Sequence, residues 1–193
     1  VDVEMQTYGE YGGDEFTVLL YEFKTDMASY LADTQLPYRN LGDMIEANNE
    51  LAEQELLLFG QELFEMANAQ EDEAAYQQAL ANSKKLAGKE GIDTMLSENN
   101  LDVLIAPTTS PAWKIDHVLG DNYSGSASSP AAVAGYPHIT VPMGYIQIGD
   151  EPALPVGMSF FGAARSEAIL IEAAFAYEQA TQHRVAPNLV ATD

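Results

Sequence analysis

A chain of 193 residues with 47% hydrophobic side chains has the length of one domain and enough apolar surface for a sizeable core. Its 30 acidic residues against 8 basic ones give a net charge of -22, which repels phosphate backbones and anionic membrane surfaces and argues against a nucleic-acid or membrane partner. The absence of cysteine removes disulfides, thiolate nucleophiles and thiolate metal ligands, but does not separate one compartment from another.

The chain opens on Val1 rather than Met, and Val1 to Met5 alternates apolar with acidic residues as a half-exposed strand does, so the expectation is a start in mid-structure or after processing. Phe16 to Leu20 reads as a short strand, followed by a helix to Leu31 carrying Phe23, Met27 and Tyr30 and closed before Pro37. From Met44 to Leu58 apolar residues recur at spacings of three and four between glutamates, the pattern of an amphipathic helix. Asp72 to Leu96 predicts a long helix with weak points at Gly88 and Gly91.

Leu101 to Ala106 is a compact aliphatic run ending at Pro107, which predicts a central strand buried on both faces. The stretch from Thr108 to Gly125 lacks periodicity and is the longest irregular loop, of the kind that often carries function. Ser128-Ser129-Pro130 starts a short helix with serine as its cap, and Gly135 ends it. Ile139 to Val141 and Pro155 to Phe161 are strands, paired or neighbouring, joined through an acidic turn at Gly149-Asp150-Glu151. A last helix spans Ser166 to Thr181, with Arg184 and Pro187 marking its exit. No repeat or hinge-like linker interrupts this order, which is that of an α/β protein. No apolar run approaches the ~18 residues of a membrane span, so a soluble chain of unassigned compartment is expected. Of the 30 carboxylates, 22 precede residue 111, mainly on the predicted helices, where they act as a solvated surface.

Complete catalytic machinery is not legible. Gly-x-Ser-x-Gly does not occur, and Ser110 and Lys114 stand four apart across a proline rather than at the Ser-x-x-Lys spacing on a helix. The small hydroxyls from Ser124 to Ser129 suit turns and caps. His117, His138 and His183 share no metal-ligand spacing, and Glu46, Glu50 and Glu53 form a solvated helix face, so neither a metal nor another cofactor is expected. Phe59-Gly60-Gln61-Glu62 either marks a helix boundary or presents Phe59 and Gln61 to a ligand. Trp113, the single tryptophan, either lines a pocket or staples its loop to the core.

Three ordered blocks carry a resemblance. Leu101 to Thr109, Ser129 to Gly144, and Leu154 to Gly162 followed by Ser166-Glu167 and an alanine-rich helix to Tyr177-Glu178 resemble the C-terminal half of amidase-signature enzymes. The wording around Phe59-Gly60-Gln61-Glu62 and Ala134-Gly135-Tyr136-Pro137-His138 is most similar to the peptide-amidase type, which removes ammonia from C-terminal peptide amides. The resemblance implies an α/β fold in which this chain is the C-terminal part of a single amidase domain, with a mixed β-sheet flanked by helices. It further implies that the intact protein hydrolyses carboxamide C–N bonds, with a nucleophilic serine, a second serine in a cis peptide bond, a lysine base and a glycine-rich oxyanion cradle.

None of those motifs appears here, and Ser124 to Ser129, Lys84, Lys85 and Lys114 do not align with them, so the expected catalytic residues of this chain are none and the segment alone is expected to be inactive. What the resemblance assigns to it is scaffold and one wall of a substrate funnel, with Thr108, Thr109, Trp113 and Ser126, and Phe59 and Gln61 further upstream, as substrate-binding candidates. Met158-Ser159 and Ser128-Ser129 depart from common family wording, which implies an altered pocket shape. The implied partners are a small-molecule or peptide amide and the N-terminal half of the same enzyme, and the segment without that half is expected to self-associate. The alternative is an amidase-derived module that kept the scaffold and binds or regulates without catalysis.

Overall fold

The computed structural model describes residues 1–149 and 153–187. They divide into two compact units: residues 9–84, with one apolar cluster, and residues 1–8 together with the chain from Lys85 onward, with two.

The first unit is helical: α1 Gly12–Ala32, α2 Leu41–Glu50, α3 Ala52–Glu55, α4 Glu62–Asn68 and α5 Glu73–Lys84. Phe16 to Leu20, read above as a strand, lies inside α1. The reason is the wider pattern: Phe16, Leu20, Phe23, Met27 and Leu31 recur every three or four residues, and a short apolar run cannot by itself tell helix from strand. Leu20, Leu41 and Ala67 are buried together, with Phe23, Met27, Ile45 and Phe64 packed against them. The single helix predicted through Leu58 ends earlier, breaking at Leu51 between α2 and α3. At the start of α2 the Asn40 side chain accepts the Asp43 N–H at 3.0 Å while the Asp43 carboxylate accepts the Arg39 N–H at 2.7 Å, a reciprocal cap that sets the helix origin.

In the second unit a π-helical segment Lys85–Ile92 leads into α6 Asp93–Asn99, then β1 Leu104–Pro107, α7 Ser128–Ala134, β2 His138–Ile146, β3 Leu154–Phe161 and α8 Glu167–Thr181. The predicted long helix is therefore not uniform. A Cβ on Gly91 would meet the Leu86 carbonyl oxygen at 2.7 Å and overlap the Met5 side chain, and one on Gly88 would press on the Tyr136 hydroxyl at 3.1 Å. The two glycines permit close approach, which their reading as weak points does not capture. Val1 to Met5 forms no strand; Val3 and Met5 spend their alternation on packing against the Ile92, Leu96 and Phe161 cluster.

The α/β class holds, and among the described residues the sheet has the order β1-β3-β2 with both pairings antiparallel. Leu101 to Ala106 was expected at the centre, yet β1 is an edge strand of this sheet with Ile105 62% exposed. Pro107 at the end of β1 is compatible with that position, since proline cannot donate to a ladder and is tolerated at sheet edges; Pro142 sits likewise on the other outer strand, beside a bulge. Strand alternation sorts β3 cleanly: Phe160 and Met158 face Leu170, Ala174 and Tyr177 of α8, whereas Phe161 joins Leu104, Ala131 and Ile92 on the opposite face. β2 and β3 form the expected hairpin, whose acidic turn at Asp150-Glu151 lies outside the described residues. α7 begins without a side-chain cap from Ala127, but the Ser128 N–H donates to Ser126 Oγ at 3.1 Å, and Gly135 closes the helix at φ 73°.

Candidate functional site

The loop between β1 and α7 is closed at its base by a short zipper. Thr108 N–H donates to the Gly157 carbonyl at 2.8 Å, prolonging the β1–β3 ladder by one residue, and Thr109 bridges to Ser126. Ser126 Oγ and the Ala127 N–H both donate to the Thr108 carbonyl at 3.0 Å. The Gly125 carbonyl receives Thr109 Oγ1 at 3.1 Å and the Ser110 N–H at 3.3 Å, with Gly125 itself at φ 121°, a value that glycine tolerates.

Beyond this base the loop is ordered by its own side chains. Trp113 Nε1 donates to Asp121 Oδ1 at 3.1 Å, and the indole meets Tyr123 edge-on with ring centroids 6.3 Å apart. Asp116 accepts the N–H groups of Val118 and Leu119 at 2.8 and 2.9 Å; the bonds from Leu119 and then Val118 hold its carboxyl below the usual range.

Three hydroxyls cross the sheet beside the zipper. Ser159 Oγ on β3, fully buried, donates to Thr108 Oγ1 at 2.8 Å; Thr108 Oγ1 lies 2.5 Å from Thr140 Oγ1 on β2; and Thr140 Oγ1 donates to the Met158 carbonyl at 3.3 Å. Each hydroxyl has one proton, so these contacts fix a single direction, from Ser159 through Thr108 and Thr140 to the carbonyl. Gly157 makes room for it, because a Cβ there would stand 2.7 Å from Thr140 Oγ1 and 2.8 Å from Thr108 Oγ1.

Two pockets of about 560 Å³ each flank the zipper. One is a cleft between Thr109, Ser126, Met143 and Val156; the other is walled by Pro111, Trp113, Ile148 and Leu154, and Ser110 and Ser124 border both. The structure thus brings Thr108, Thr109 and Ser126 together at one hydrogen-bonded junction and puts Trp113 on the wall of the neighbouring pocket.

Phe59 and Gln61 belong to the helical unit. The Phe59 ring is 73% exposed, whereas Gln61 is buried and its amide joins α2 to α4: Oε1 accepts Asn48 Nδ2 at 3.1 Å, and Nε2 donates to Asn49 Oδ1 at 2.8 Å and the Ile45 carbonyl at 3.3 Å. Thr140 and Gly157 escaped the sequence reading, which weighed Ser110 only as a catalytic partner of Lys114 and Ser159 only as a departure from family wording. A polar residue inside an apolar strand, as Ser159 is between Met158 and Phe160, was the available signal. Among the described residues no group of three acidic or histidine side chains could hold a metal, and no helix is long and apolar enough to cross a membrane.

A family model described as Amidase matches residues 10–171, most of the chain. The chain belongs to the amidase family. Among amidases it is similar to a probable amidase of Arabidopsis thaliana, 36% identical over 192 residues, which cover 98% of this chain and 33% of that protein. The peptide amidase from Stenotrophomonas maltophilia is 45% identical in sequence and superimposes with a TM-score of 0.86 over 98% of this chain and 37% of its own. A peptide amidase crystallised with the competitive inhibitor chymostatin gives 47% identity and a TM-score of 0.89, with 98% and 38% covered. This amidase chain therefore spans roughly a third of the length of the relatives it matches.

Proposed function

We propose that this chain is the C-terminal scaffold and substrate-funnel wall of an amidase that hydrolyses carboxamide C–N bonds through a serine acyl-enzyme. The nucleophilic serine, the second serine and the lysine base are assigned upstream of Val1, and both units are taken as parts of one amidase domain. The observation that carries the reading is the cleft lined by the hydroxyls of Thr109, Ser110, Ser124 and Ser126, hydrogen-bonded at its base to Thr108, in a chain whose fold matches peptide amidases over nearly all of its length. Such a wall contributes orientation: it holds the amide against groups supplied elsewhere, which lowers the entropic part of the barrier without breaking a bond. Phe59 is assigned a substrate contact from the helical unit, with Gln61 holding its segment in place. A small-molecule or peptide amide is the substrate in this reading, and the N-terminal half of the same enzyme is the partner.

The test is ammonia release from a peptide amide by the purified 193-residue chain beside the same chain extended through its upstream reading frame. The expected result is activity in the extended protein alone. Turnover by the short chain that survives stringent purification, and that disappears on no upstream deletion, would place the chemistry in these residues and overturn the assignment.

A further inference from the structure

We infer that the pocket walled by Pro111, Trp113, Ile148 and Leu154 is a subsite for an aromatic or branched aliphatic side chain of the amide substrate. The inference deepens the amidase reading and rests on it for the word substrate; the pocket itself stands on geometry. At about 560 Å³ it lies within the size range of small-ligand sites, and its walls are mainly apolar and aromatic. The Trp113 N–H is already bound to Asp121 and its ring is set by Tyr123, so the indole offers the pocket its ring surface.

The pocket's polar lining is Ser110 and Ser124 at the boundary with the cleft, together with Lys114 and Asn122, which line this pocket and not the cleft. Ser110 borders both spaces, and its Oγ is buried with no hydrogen-bond partner among the described residues. Buried hydroxyls are ordinarily paired, so a free one at this junction fits a polar ligand group there. A ligand crossing it would place a backbone amide at Ser110 and the cleft hydroxyls, and its side chain against Trp113. That division of polar main chain from apolar side chain is what an amino-acid amide presents, whereas an all-polar ligand such as a sugar would leave its hydroxyls unpaired against Ile148 and Leu154.

Trp113, as the sole tryptophan, reports on the pocket directly. Its fluorescence is followed while the chain is titrated with N-acetylphenylalaninamide and, separately, N-acetylglycinamide. The expected result is a saturable change with the phenylalanine amide at a Kd at least about tenfold below that of the glycine amide. Ile148→Asp, at a position 53% exposed and so tolerant of a charge, is expected to erase most of that preference with the far-UV circular dichroism unchanged. A flat titration, an equal response to both amides, or a preference that survives Ile148→Asp in the folded variant overturns the proposal. Failure of the upstream-extended chain to hydrolyse any amide would sink the amidase reading while leaving this titration interpretable. Hydrolysis with a flat titration would sink the subsite alone.

Discussion

Replacing Gly157 by alanine tests the tightest point of the candidate site. The added Cβ would lie 2.7 Å from Thr140 Oγ1, 2.8 Å from Thr108 Oγ1 and 3.2 Å from Thr108 Cβ, all well inside ordinary carbon contact distances of about 3.5 Å. Neither threonine yields cheaply: Thr108 is tied to Gly157 by its own N–H, receives Ser159 Oγ, and meets Thr140. Overpacking of this kind costs about 1–3 kcal/mol, and a stretched hydrogen bond in the chain adds roughly 1. Loss of glycine's freedom in the unfolded chain returns about 0.5 kcal/mol, leaving a net destabilisation of about 1.5–3.5 kcal/mol. Urea unfolding followed by circular dichroism measures it. Thr140→Ala removes one of the two obstructing oxygens, so the double variant should be less destabilised than the sum of the singles by at least about 0.5 kcal/mol. Gly157→Ala within about 0.5 kcal/mol of the parent, or simple additivity with Thr140→Ala, would show that the hydroxyls do not brace the sheet as described.

Burial holds the His138 imidazole below its ordinary value near 6.5, and its Nε2 is buried without a hydrogen-bond partner among the described residues. Above that pH both folded and unfolded states are neutral at this group. As pH falls below it the unfolded state binds the proton first, so stability should drop, and His138→Phe should flatten the slope between pH 7 and 5 in urea unfolding. Gln61→Glu keeps the shape but removes the donors that meet Asn49 and the Ile45 carbonyl; about 2 kcal/mol of stability should be lost at neutral pH by thermal or urea melts. The Tyr136 hydroxyl donates to Asp93 at 2.9 Å, and burial first, then that carboxylate, raise its pKa. Tyr76, whose hydroxyl donates to Glu22, is raised as well, so alkaline absorbance titration should show late-ionising phenols of which one is lost in Tyr136→Phe, with roughly 1 kcal/mol of stability lost.

Several elements were readable because local pattern alone determines them. The β3 run was read nearly at its full length and α8 keeps its helical period from Glu167 to Thr181, whereas Ile139 to Val141 located β2 without reaching its end at Ile146. The irregular stretch after Pro107 was recognisable as a loop from the lack of any period, and the ordered blocks from Leu101 onward carried the family resemblance. Phe16 to Leu20 was misread because five residues do not distinguish a strand from a turn and a half of helix; the deciding partners, Leu41 and Ala67, lie far along the chain. Thr108, Thr109, Trp113 and Ser126 stood out as loop residues, whereas Thr140 looked like an ordinary strand position and Ser159 stood out only as a departure from family wording.

By itself, the sequence determined β3, α7 and α8, the absence of cysteine chemistry, the acidic surface and the wording that marks an amidase, since each depends on residue type and near-neighbour spacing. Only tertiary structure decided that β1 lies at an edge of the sheet, that Gln61 is consumed between α2 and α4, and that Ser159, Thr108 and Thr140 form one directed chain over Gly157. These features depend on which distant backbones come within a hydrogen bond's reach, and strand order, register and close approach are set by packing across the whole unit rather than by any local window.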